Sequence, residues 1–302
     1  MISARKAELL LLLTTFIAGW GWIFSKEASQ GMPIFYFLGI RFSFAALLIA
    51  LINMKSFTKV TRKNLKGLTI SGTLQGISII AWMYAVKVST TLGEGAFIMS
   101  LSMLFVPVLA RFLFKNKILK VFWISLPIAV VGLFCLTAST SMKITYSQVW
   151  FLIAAFLQSL YFCSNAFYAE KIPTIPLTSV QLLFTGVISL LLAFKFEIWP
   201  ETVTAVTWGW VVASICIATS LRFYIQLTGQ RFCSASNAAI IMVMEPVFTF
   251  IISGYWYHEE LSVHKVIGCI LILLALIIYQ IKKIEHRKLS RKLNRDIPQV
   301  KV

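Results

Sequence analysis

The chain has 302 residues, of which 59% are hydrophobic and 13% charged, with a formal net charge of +17. Soluble domains carry roughly 25% charged residues, so these proportions exclude a water-soluble enzyme or binding module. Charge-free runs at 67–86, 121–142, 144–169, 172–194 and 202–221 each approach the roughly 20 residues that a membrane-spanning helix needs. None alternates with a period of two, which excludes a membrane barrel. The expected fold class is all-α, a polytopic membrane protein in contact with the lipid bilayer. Positive charge gathers in 55–66 and in the tail after Tyr279. There it fits segments held in the cytoplasm beside anionic lipid, and no nucleic-acid partner is expected. Five cysteines, an odd number, sit in or beside apolar runs and read as packing residues without a disulfide or metal framework.

In chain order, Arg5-Lys6 precedes an apolar run that lacks a small-x-small cleavage site, so the first helix is expected to be retained and to reach about Phe24. The second predicted helix runs from Pro33 to Met54 and contains Arg41. The third spans Gly67–Val86, the fourth Leu92–Phe114 and the fifth Leu119–Ala138. The sixth covers Tyr146–Tyr168, and the seventh runs from Pro176 to about Phe196. Thr207–Leu227, Ala235–Trp256 and Lys265–Ile281 complete a set of ten. With both termini cytoplasmic, twenty Lys and Arg fall on cytoplasmic segments, and the external loops hold Lys26, Lys87, Lys143, Lys195 and Lys265. That asymmetry obeys the positive-inside rule.

Helices 4–5 and 9–10 share a pattern: a mid-span proline (Pro107, Pro246), a polar break, then a helix with an early or central glycine (Gly132, Gly268). Five helices per half is an odd number, so two such halves would have opposite orientations in the bilayer. Inverted repeats of this kind are a common transporter plan, with the solute site near the midplane. The expected division is 1–143, 144–281 and a basic cytoplasmic tail at 282–302.

Candidate functional residues are polar groups on apolar helices. On helix 3, Ser71, Gln75, Ser78 and Trp82 fall within about 60° of one another at roughly 100° per residue. On helix 6, Gln158, Tyr161, Asn165 and Tyr168 span about 80°. Helix 9 places Asn237, Glu245 and Thr249 within about 120°. Such stripes suit an organic solute, offering stacking surface with a few orienting hydrogen bonds; they suit hydrogen bonding between helices equally well. Gly72-x-x-x-Gly76 reads as a close-packing face. Charged groups inside spans are costly and need partners or a wet cavity. Arg41 is therefore expected to hold Glu94 or an anionic solute group, or to clamp helices. Glu245, beside Pro246, is expected near Arg222 across a tight turn, as a coupling pair for a proton or counter-substrate or as a static packing pair.

The ordered set Trp20-Gly21, Lys26, Pro33 and Arg41, with Ala235, Glu245-Pro246, Glu259, Leu261, Gly268 and Leu271-Ile272 near the close, resembles the drug/metabolite transporter superfamily, EamA type. Lys115-Asn116-Lys117 stands where the first repeat of that family ends its fourth helix with an acidic residue. The resemblance implies a ten-helix carrier of the bacterial inner membrane, exporting amino acids, metabolites or drugs without a cofactor. On this reading Trp20 joins Arg41, Gln75, Ser78, Trp82, Gln158, Tyr161, Asn165 and Asn237 as expected solute contacts, with Glu245, Arg222 and Glu94 in coupling. A scaffold or receptor subunit is the alternative. A membrane enzyme fits less well, because His258, His264 and His286 all lie in loops or tail and neither a zinc-protease helix nor a Walker loop occurs.

Overall fold

The structure, a computed structural model, describes residues 4–115, 118–138, 145–169, 171–232, 241–259 and 262–296. Asn116, Lys117, Lys143, Ala235, Asn237 and Leu261, named above, lie outside the described residues. The helices are α1 (Ala4–Gly31), α2 (Ile34–Ile52), α3 (Arg62–Val88), α4 (Leu92–Ser100), α5 (Ser102–Phe114) and α6 (Phe122–Ala138). They continue with α7 (Tyr146–Ala169), α8 (Thr174–Phe196), α9 (Ala205–Ala213) and α10 (Arg222–Phe232), then α11 (Glu245–Tyr257) and α12 (Val263–Asp296). A 3-10 turn, Met54–Lys59, follows α2, and a π-helical stretch, Ser214–Leu221, joins α9 to α10. Eight stretches are long and apolar enough to cross a membrane, with α4–α5 and α9–α10 each counting as one. With the shorter apolar α6 and the 13-residue α11, the described residues hold ten apolar helical segments, the number expected.

Large apolar side chains point outward, as on Phe112, Phe194 and Trp123, while Thr185, Ser71 and Thr249 are fully buried. That inverts the soluble pattern and matches a bundle solvated by lipid. Glycines set the close approaches. A Cβ on Gly72 would meet Phe184 of α8 at 2.8 Å, and one on Gly132 would meet the Gly268 carbonyl of α12 at 2.9 Å. The Gly72/Gly76 face thus packs against α8, as its spacing predicts.

Four boundaries differ from expectation. First, α1 runs on to Gly31 and carries Lys26, expected in a loop. The Lys26 ammonium donates to the carbonyls of Val86, Lys87 and Ser89, satisfying the orphan acceptors at the end of α3. Second, α12 continues through the basic tail to Asp296, because 282–296 contains neither Gly nor Pro to stop it. Third, the fourth helix breaks at Leu101, between α4 and α5. Fourth, the helical residues 241–242 give way to a turn at 243–244, and Glu245-Pro246 opens α11 beyond that break. Proline lacks the N–H that a first turn leaves unpaired, so it suits that position.

The two ends of the bundle are closed differently. At one end Phe35 and Tyr36 amides donate to Glu197 at 2.9–3.1 Å, and the Leu92 amide donates to Glu259 at 2.8 Å. Trp256 and Tyr257 donate to Glu27. These carboxylates and Lys26 tie helix ends together across the bundle. The other end bears the basic 55–66 connection and the extended α12.

Candidate functional site

Eight of the ten helical segments surround a cavity of about 390 Å³. Its roof is aromatic: Trp22 and Trp82 line it and meet edge to face at 5.2 Å, with Phe151 behind Trp22 at 5.8 Å. From there the cavity descends to Ala169 and Thr174. Thr174 also lines a hollow shared with Asn53, Lys59 and Tyr224 at the basic end.

Among the described residues, three charged side chains line the wall: Arg41, Arg222 and Glu245. Arg41 is 6% exposed. Its Nε donates to Thr219 at 3.0 Å and its Nη1 to Ser25 at 2.6 Å. Phe42 and Phe37 lie 5.1 and 5.7 Å from the guanidinium carbon, within cation–π range. The π-helical stretch explains the Thr219 contact. Its wider turn lets the Thr219 hydroxyl donate to the Ser214 carbonyl five residues back while accepting from Arg41. Such π segments are frequent at functional sites.

Arg222 Nη2 lies 3.2 Å from a Glu245 carboxylate oxygen, with the side chains 24% and 26% exposed. Glu245 sits in the first turn of α11, where the partial positive charge of a helix N-terminus also favours a carboxylate. The pairing inferred from helix register is therefore made directly.

Gln75, Trp82, Gln158, Tyr161 and Asn165 all face the cavity. Several of their polar atoms are partly engaged by neighbours. Ser78, outside the lining, donates to Gln158 at 2.6 Å. Tyr161 donates to Gln181 at 3.3 Å, and Gln181 donates to Asn165 at 2.9 Å and to Ser71. Each stripe thus serves both the cavity and the joints between helices.

Three expectations fail, the first being Ser78, which supports Gln158 from outside the lining. Glu94 does not pair with Arg41: it accepts from Thr91 at 3.0 Å and from Gln148, in the first turn of α4 and away from the cavity lining. A local hydroxyl, an amide and the α4 N-terminus satisfy it instead. Trp20 turns away, packing on Phe24 and Trp256, and Trp22 takes the cavity position. The α1 wheel carries the signal for this: Ala18, Gly21 and Trp22 follow the i, i+3, i+4 spacing of one face, whereas Trp20 lies about 200° from Trp22. Gln181, Thr219, Phe223 and Gln226 also line or support the site without having stood out in the sequence.

Comparison with known proteins gives concordant similarities. The model of the EamA-like transporter family matches residues 5–138 and again 145–280. The uncharacterized transporter YoaV of Bacillus subtilis (strain 168) is 21% identical over 276 residues, 88% of this chain and 94% of that protein. The uncharacterized transporter YetK of the same organism is 22% identical over 280 residues, 88% of this chain and 84% of that protein. One solved crystal structure shares the fold at a TM-score of 0.64 and 17% identity, covering 96% of this chain and 99% of the other.

Proposed function

From the premise that the chain belongs to the EamA-like transporter family, and so is a multi-pass membrane transporter, we propose a secondary carrier that exports a small organic solute by alternating access. The observation that carries this reading is the polar-walled cavity, roofed by Trp22 and Trp82 and reaching Thr174 at the basic end. Under the positive-inside rule the basic end is cytoplasmic, so the cavity is open to the side from which an exporter loads. Arg41, Gln75, Trp82, Gln158, Tyr161 and Asn165 are the proposed solute contacts. The two halves, 1–143 and 144–281, act as inverted repeats that rock about this site. Glu94, held outside the lining, takes no part.

Glu245 and Arg222 are the proposed coupling pair. A carboxylate beside a guanidinium keeps its charge, and one left alone in an apolar setting takes up a proton. A rocking motion that parts and rejoins the pair would load and release one proton per cycle. The partial exposure of both side chains to the cavity supports proton access.

Counterflow in proteoliposomes, over a panel of amino acids, nucleosides and cationic drugs with and without a pH gradient, tests the reading. The native protein should exchange at least one class, and Glu245→Gln should retain exchange while losing gradient-driven transport. Absence of exchange in the native protein would overturn the carrier reading. Survival of both modes in the variant would remove Glu245 from coupling.

A further inference from the structure

We infer that the solute is a small organic acid of net negative charge, whose anionic group is held by Arg41, rather than a cation or a zwitterion. This deepens the carrier reading and rests on it. Of the three charged groups in the cavity wall, Arg222 and Glu245 neutralise each other at 3.2 Å. Arg41 remains. Its described partners are the neutral hydroxyls of Ser25 and Thr219, and no carboxylate lies within ion-pairing distance of it among the described residues. A guanidinium does not deprotonate in response to burial, so its charge needs an anion or water. Among the described residues, the charges of the wall thus sum to one positive charge.

Two further features describe the rest of the solute. The buried atoms Gln75 Oε1, Gln226 Oε1 and Arg222 Nε have no hydrogen-bond partner among the described residues, although all three residues line this cavity. Either amide can turn to present oxygen or nitrogen, so polar substituents near the anionic group find partners. The rest of the wall is apolar, with Trp22, Trp82, Phe42, Phe223, Met99 and Met103 available for an aromatic or aliphatic body. The volume, about 390 Å³, lies near the lower limit of ligand sites. A cation would meet two guanidiniums and one carboxylate already paired. A zwitterion would bring an ammonium with no free acceptor charge among the described residues.

The test loads proteoliposomes with an equimolar mixture of small carboxylates, the matched primary carboxamides, the matched α-amino acids and matched quaternary ammonium compounds. Efflux of each is followed by mass spectrometry and corrected with protein-free vesicles. Carboxylates should leave the native protein at least about tenfold faster than their amides, with amino acids and ammonium compounds slower still. Arg41→Gln should bring the carboxylate-to-amide ratio close to one, and Arg41→Lys should keep part of the preference. Ammonium compounds, amino acids or amides leaving as fast as the carboxylates would overturn the charge assignment alone. Absence of efflux for every class would overturn the carrier reading and this inference with it. Should Arg41→Gln fail to insert, the order of classes in the native protein still decides. An unchanged ratio in a well-inserted Arg41→Gln would remove Arg41 from the anion site.

Discussion

The carboxylate of Glu259 lies in the turn between α11 and α12 and accepts the Leu92 amide at 2.8 Å, capping α4 from across the bundle. Burial pushes its carboxyl above the ordinary value of 4.5, while bonds from Leu92, Ser253 and Gly93 and the nearby Lys265 charge pull it back. The net shift is upward. Above pH 4.5 the unfolded chain therefore gives up this proton while the folded chain keeps it. The stabilisation is complete at low pH and is lost as pH rises through the folded-state value. Glu259→Gln keeps an acceptor for the Leu92 amide and removes the titration. Its thermal midpoint in detergent should fall less between pH 5 and 8 than that of the native protein; equal slopes would place the pH dependence elsewhere. Lys26 acts in the opposite sense at the same end of the bundle, covering the carbonyls that close α3. Lys26→Met should cost about 1.5–3 kcal/mol, the range for charge-assisted hydrogen bonds, read as a lower unfolding midpoint.

Among the elements, α5 and α11 are the most informative. Each has 13 residues and each ends in a non-glycine residue of left-handed conformation, Lys115 at φ 54° and His258 at φ 50°. Matching the two helices at these ends sets Ser102 opposite Glu245, and both line the cavity. The prolines do not match: Pro107 is inside α5, whereas Pro246 is in the first turn of α11. The likeness of the two helices therefore resides in their breaks and caps rather than in the proline positions that suggest it in the sequence. Helix contacts are similarly position-specific. A Cβ on Gly132 would meet backbone, the Gly268 carbonyl at 2.9 Å and the Ile272 amide at 3.0 Å, whereas one on Gly209 in α9 would meet nothing within 4 Å. Gly132→Ala should destabilise by about 1–3 kcal/mol through overpacking. Gly209→Ala should be neutral or stabilise by up to about 1 kcal/mol, since it only restricts the unfolded chain. Thermal unfolding of the two variants side by side checks this, and equal effects would contradict the α6–α12 contact.

At the scale of the whole molecule, charge and cavity share an axis. The 55–66 connection and the extended α12 lie at the end the cavity reaches, and the aromatic roof and the interhelix caps lie at the other. Positive charge retains a segment on the cytoplasmic side during insertion; for an exporter the same end is the loading end. Reporter fusions placed after Lys66 and after Lys288 should both report the cytoplasm. Opposite sides for these two points would require an odd number of crossings between them and overturn the ten-span arrangement.

Membrane class, the existence of the helical segments, the Gly72/Gly76 packing face and the resemblance to EamA transporters were all legible in the sequence by itself. Each depends on quantities that run along one dimension: the length of an apolar run, the absence of charge within it, the spacing of residues on one helix. The Arg222–Glu245 pair was legible for a related reason, since its members lie only 23 residues apart in the chain. Tertiary structure alone decided that Arg41 takes Ser25 and Thr219 rather than Glu94, that Trp22 rather than Trp20 roofs the cavity, and that Glu197 caps α2. The Arg41–Thr219 contact joins residues 178 apart, and the Glu197 caps reach across 161 and 162. Contacts at such separations follow from how whole helices rotate and break against one another, here through a π-helical turn at 214–221 that no local periodicity announces. A helix can satisfy its apolar period in several rotations about its axis, and only the close packing of its neighbours selects one.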